Sequence, residues 1–91
     1  MKLINKNEKG KTYQADAFKI LYRNKDSIAG DNDENNREFT YFITGSAEVT
    51  IEEKTWTIEA PEKVEFPAKT YHKIKALTDI SFVIIEKYSM K

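Results

Sequence analysis

Residues 38–72 read EFTYFITGSAEVTIEEKTWTIEAPEKVEFPAKTYH, and the alternation inside this stretch decides the fold. Phe39, Tyr41 and Ile43 fall on one face of an extended chain, and Glu38, Thr40, Phe42 and Thr44 on the other. The first face is wholly apolar, and the second mixes a carboxylate and hydroxyls with one ring. A mixed face turned inward and an apolar face covered from outside suit a barrel with a pocket. Gly45-Ser46 ends this strand. Ala47, Val49 and Ile51 then alternate with Glu48, Thr50 and Glu52, as in a strand with one wet face. Glu53-Lys54 turns the chain, after which Trp56 and Ile58 face inward. Ala60-Pro61-Glu62-Lys63 turns it again into Val64-Glu65-Phe66. Pro67 caps that strand, because proline has no N–H for a sheet ladder.

The same rhythm extends both ways. Downstream, His72, Ile74 and Ala76 share a face opposite Tyr71, Lys73 and Lys75, and Leu77-Thr78-Asp79 turns into a last strand, ISFVIIEKY, over residues 80–88. Upstream, FKILYR (18–23) is rich in strand formers and too short for a stable helix. Asn24 to Gly30 reads as a turn region. Residues 31–37, DNDENNR, read as a solvated loop. An EF-hand over this run fails, because Asn36 takes the glycine position and Phe42 the position of the clamping carboxylate. Residues 1–11, MKLINKNEKGK, form a polar segment ahead of the folded strands. Many short strands at regular turn spacing, with no sustained 3.6-residue stripe, indicate an all-β fold. The expected architecture is a jelly-roll β-barrel of two facing antiparallel sheets with little or no helix: one domain over 1–91, its barrel over 17–88.

Composition narrows the function classes. Fifteen Lys and Arg balance fifteen Asp and Glu, so the net charge is zero, and no basic excess favours nucleic acid. The absence of cysteine removes disulfides, thiolate metal sites and cysteine nucleophiles. The opening residues lack the apolar core of a signal peptide. The longest near-continuous apolar run, Ile80 to Ile85, falls far short of the ~20 residues needed to span a bilayer. A cytoplasmic protein with no nucleic-acid or membrane partner is expected.

The chain resembles the small single-domain cupins over roughly residues 17–88. Their first motif ends in a glutamate followed by a glycine, and Glu38 and Gly45 stand at that spacing; in the second motif Pro67 and His72 match, within FPAKTYHKI. Asp26, Pro61, Lys69 and Ala76 replace the glycines and the asparagine of the pattern, and Asn32 and Glu34 stand where two histidines are usual. If the register of the acidic loop slips by one, Asp31 and Asp33 take those places instead.

Of the usual metal ligands, the resemblance leaves Glu38 and His72. Two readings stand. Asn32, Glu34, Glu38 and His72 form an oxygen-rich site that holds manganese, magnesium or calcium weakly, or the loop points to water and no metal binds. A pocket built from Glu38, His72, Phe42, Tyr22 and Trp56 would take a small molecule of unknown identity. An inward Glu38 beside Phe42 requires a cation, a donor or the imidazole. Three functions remain open. The first is a small-molecule-binding protein with a degenerate metal site. The second is an enzyme, metal-dependent or of the metal-independent sugar-nucleotide epimerase and isomerase kind, using His72 and Glu38 with Tyr22, Tyr41 or Tyr71 as acid. The third is a structural or regulatory dimerisation module. The outward row Phe39, Tyr41 and Ile43 predicts a two-fold homodimer, unless the N-terminal segment covers that row.

Overall fold

The computed structural model describes residues 1–86, so Lys87 and Tyr88 of the expected barrel lie outside the described residues. Ten strands and no helix make up the described chain: β1 (Lys2–Asn7), β2 (Gly10–Gln14), β3 (Lys19–Arg23), β4 (Ile28–Asn32), β5 (Glu38–Thr44), β6 (Ser46–Ile51), β7 (Lys54–Glu59), β8 (Glu62–Phe66), β9 (His72–Ala76) and β10 (Ile80–Glu86). No helix here is long and apolar enough to cross a membrane. The strands form a six-stranded sheet, β1-β2-β3-β10-β5-β8, and a four-stranded sheet, β4-β9-β6-β7. Every pairing is antiparallel. The chain is all-β, with two antiparallel sheets in a jelly-roll arrangement.

β10 holds the larger sheet together, since it pairs β3 on one side and β5 on the other. Phe82 stands opposite both Leu21 and Phe42, and the rings of Phe42 and Phe82 lie 5.2 Å apart. From the smaller sheet, Ala47, Val49, Ile58, Ile74 and Ala76 close on them to form one buried cluster, with Val64 and Phe66 of β8. Phe42, Phe66 and Phe82 are buried almost completely, and each contributes roughly 1.5–3 kcal/mol by leaving water.

Residues 28–32, read as turn and solvated loop, form strand β4 because they pair with β9, and residues 1–11 do not stand apart as a polar segment. β1 and β2 extend the larger sheet at its edge, where Leu3 pairs with Tyr13 and Asn5 with Thr12 across a bulge at Ile4. Alternation in β5 also changes where the sequence pattern cannot show it. Phe82 faces Phe42 and Ser81 faces Thr44, so Ile43 is an extra, unpaired residue. This bulge carries Thr44 to the outer side, contrary to simple alternation, and its hydroxyl bonds Ser81 Oγ at 2.7 Å.

Thr40 lies wholly inside, opposite Val64 and Ile84, and its hydroxyl has no hydrogen-bond partner among the described residues. Thr40→Val replaces that hydroxyl by a methyl of the same shape. It is expected to stabilise the protein by about 1 kcal/mol and to raise Tm by roughly 4–8 °C in calorimetry; a lower Tm would contradict this account.

Candidate functional site

A cleft of about 580 Å³ opens between the two sheets, with a wall more polar than apolar. It runs along the side where β1 and β3 of the larger sheet approach β4 and β9 of the smaller one. Leu21, Ile74, Phe82 and Ile84 give it an apolar floor. One end carries Asn5, Asn7, Lys9 and Arg23, and the other carries Asn32, Glu34, Asn35, Glu38 and His72. The volume lies in the range of small-molecule sites.

His72 is positioned by β9, whose alternation turns His72, Ile74 and Ala76 inward together. The ring is 6% exposed, tilts against Phe66 at 5.2 Å, and places Nδ1 3.3 Å from the Thr70 carbonyl oxygen. A carbonyl can only accept, so Nδ1 carries the proton; in the neutral tautomer this leaves the lone pair on Nε2. The Cδ2–Nε2 edge meets Gly30 of β4: a Cβ at Gly30 would lie 3.0 Å from Cδ2 and 3.1 Å from Nε2, and Gly30 also has φ +82°. Glycine is required there on both counts.

Asp31 is an extra residue in β4, because Gly30 pairs with Lys73 and Asn32 with His72. This bulge brings Asn32 opposite His72 and sends Asp31 outward. Asp31 accepts a 2.5 Å hydrogen bond from the Tyr71 hydroxyl. That bond, with desolvation and the carboxylate charge, raises the Tyr71 pKa above its ordinary value. The Asn32 amide is occupied locally, its oxygen accepting from the Glu34 N–H at 3.0 Å and its nitrogen donating to the Gly30 carbonyl at 3.2 Å. Glu38 lies opposite Phe66 at the start of β5 and lines the same cleft end.

Asn32, Glu34, Glu38 and His72 therefore all border the same end of the cleft. Among the described residues, no three His, Cys, Asp or Glu side chains are grouped to hold an ion. The oxygen of Asn32 serves the loop instead.

The other expected pocket residues lie elsewhere. Phe42 is a core ring, 1% exposed. Tyr22 is on the outer face, because the buried Leu21 turns its neighbours outward; it packs edge-on to Tyr13 at 6.1 Å. Trp56 stands opposite Val49 and so faces the core side. β7 is the far edge of the smaller sheet, and it leaves the ring 39% exposed and remote from the cleft. Tyr22, Tyr41 and Tyr71, the candidate acids, are absent from the cleft wall.

Two site residues escape sequence reasoning. Asn35, read within a solvated loop, is 8% exposed. Its Nδ2 donates to the carbonyls of Asn36 (3.0 Å) and Pro67 (2.7 Å), and its Oδ1 accepts from the Thr70 N–H (3.3 Å). This clamp ties the acidic loop to the turn that carries His72, and no local pattern marks it. Arg23 does have a signal: once Leu21 is known to face inward, Arg23, two residues on, must share its face.

No protein-family model and no curated protein matches the chain. Solved structures do. An RmlC-like cupin from Shewanella frigidimarina superposes with a TM-score of 0.78 at 9% identity, covering 97% of this chain and 86% of that one. This chain has a cupin fold. A cupin superfamily protein from Desulfitobacterium hafniense gives a TM-score of 0.70 at 14% identity, over 84% of this chain and 72% of that one. An E162A mutant of Bacillus subtilis oxalate decarboxylase gives 0.76 at 19% identity, over 98% of this chain but 29% of the enzyme. Two backbone features stand beside this likeness. Asp26 and Lys69, which stand where the motifs have glycine, keep positive φ of 75° and 54°.

Asn35→Ala would leave the Thr70 N–H and the Pro67 carbonyl without their partner. We expect a loss of about 2 kcal/mol and a Tm lower by roughly 10 °C, with displaced His72 imidazole resonances in NMR spectra. An unchanged imidazole would show that the clamp does not position the ring.

Proposed function

We propose that this cupin domain binds a small polar molecule in the cleft between its sheets, with His72 and Glu38 at one end of the site, and that no tightly held metal takes part. The observation that carries this reading is the cleft itself, large enough for a small ligand and lined by polar groups over an apolar floor. His72 offers Nε2 as an acceptor, and Glu34 and Glu38 supply carboxylates at the same end. The reading is one of binding without an assigned reaction. One imidazole lines the cleft, and the tyrosines that could have completed an acid–base pair do not.

A thermal-shift panel of sugars, nucleotide sugars, organic acids and divalent metals tests it. A ligand at a hundredfold excess over its Kd adds ~2.7 kcal/mol, which in a domain of this size raises Tm by roughly 10 °C. We expect such a shift from an organic ligand, abolished by His72→Ala, and almost none from iron, nickel or zinc, with at most a small one from manganese, magnesium or calcium. About one equivalent of transition metal in the purified protein, lost on His72→Ala, would overturn the metal-free reading.

The outer face of the larger sheet supports a second element of the proposal, a homodimer. Tyr41 is 38% exposed, Ile43 52% and Ile85 37%, and Tyr22 continues the patch towards β2. β1 joins the edge of this sheet and so does not lie over Tyr41. A second copy fits as occupant, because a zero net charge opposes no self-association and an apolar sheet face can meet itself across a two-fold axis. Sedimentation should show a dimer at high micromolar concentration, and Tyr41→Lys should convert it to monomer; a wild-type monomer at that concentration decides against it.

A further inference from the structure

Arg23 is an unusual residue to find on an inward face. It lies opposite Ile80 on β10 and Gly10 on β2, two residues beyond the buried Leu21, and borders the cleft at the end opposite His72. Its Nη1 donates to the carbonyls of Lys11 (3.1 Å) and Tyr22 (3.0 Å), and its Nη2 to Thr12 Oγ1 (3.0 Å). These bonds hold the planar group against β2. They leave one N–H on Nε and one on Nη2, adjacent nitrogens of the fork, with no partner among the described residues. No carboxylate among the described residues pairs with it either. A guanidinium keeps its charge at neutral pH. Burial lowers the Arg23 pKa from its ordinary value, which marks a cation partly stripped of water. Lys9 adds a second positive group to the same end.

We propose that Arg23 anchors an anionic group, a carboxylate or a phosphate, of the molecule bound in the cleft. The inference rests on the cleft-binding reading above and specifies the ligand's class. A guanidinium fork takes two oxygens of such a group at once, and it does so best where water is already displaced. The far end is of opposite character. Glu38 aligns with Glu86 on β10 and Arg23 with Ile80, six residues apart, or about 20 Å at ~3.3 Å per residue. Between them lies the apolar floor, and beyond it stand the Glu34 carboxylate and the His72 ring, groups able to accept hydrogen bonds. The ligand class is therefore an elongated molecule with an acid at one end and hydroxyl or amino groups at the other.

Matched pairs of probes test this: lactose against lactobionate, and glucose against glucose 6-phosphate, each titrated into the full chain and followed by calorimetry and by NMR. The expected result is that at least one acidic probe binds ten-fold or more tightly than its neutral partner and shifts the Arg23 Nε–H resonance. The two pairs tell a carboxylate ligand from a phosphate one. Arg23→Gln should abolish the preference, and Arg23→Lys, which keeps the charge without the fork, should retain part of it. Because Arg23 also staples β2 to β3, both variants are expected to melt lower; a purely structural role would lower Tm and leave the acid preference intact in Arg23→Lys. Should Arg23→Gln not fold, the Arg23→Lys titration and the wild-type Nε–H shift decide. Equal binding of acidic and neutral probes, with Gly30 and His72 resonances moving, overturns the anion anchor and leaves the cleft reading standing. Probes that move none of these resonances count against both.

Discussion

The structure depends on the burial of Phe82 between two neighbours in its own sheet. Its ring stands beside Leu21 on one side and Phe42 on the other, and the smaller sheet closes over all three. Because side chains alternate along a strand, this cluster sets the direction of every other residue in β3, β5 and β10. Arg23 and Glu38 must face in, and Tyr22 and Tyr41 must face out. A one-residue slip of β10 would turn Ile80, Phe82 and Ile84 outward and bring Ser81, Val83 and Ile85 in, taking the Phe82 ring from between Leu21 and Phe42, so the register is strongly specified. The cleft and the outer apolar face thus follow from one packing constraint.

Bulges then adjust what alternation would otherwise impose. The extra residue Asp31 in β4 places Asn32, not Asp31, opposite His72, and lets the Asp31 carboxylate reach Tyr71 on the outer side. The extra residue Ile43 in β5 turns Thr44 outward to Ser81. Both bulges lie near the end of a strand, where losing a ladder bond disturbs the fewest neighbours. One of them shapes the site and the other the outer surface.

At the site end, the chain's own local contacts shape the cupin fold. Gly30 admits the His72 ring, and positive φ at Asp26 and Lys69 preserves two turns without glycine. Asn32 spends its oxygen on the Glu34 N–H, and Asn35 spends its amide on the turn before His72. Polar residues that read as a solvated run instead brace the loop from within. The cleft they border carries Lys9 and Arg23 towards one end and Glu34 and Glu38 towards the other, an unevenness that the zero net charge of the whole chain conceals.

The amino-acid sequence by itself determined the all-β class, the strand rhythm over residues 18–23 and from residue 38 onward, the cupin likeness through Glu38, Gly45, Pro67 and His72, and the inward face of β9. Those features are periodic or motif-borne, and a period-2 pattern survives in one dimension. It also placed Phe39 and Tyr41 outward. Only the tertiary structure decided that residues 1–11 supply strands, that Tyr22 and Trp56 stay away from the cleft, and that Asn35 is buried. The reasons are physical. Strand parity in FKILYR is ambiguous until a partner covers one face, an edge strand exposes a residue that its pattern marks as inward, and a bulge shifts alternation without a fixed residue signature. Arg23 shows the same limit: its direction was implied by Leu21, but its role depends on which sheets meet in front of it.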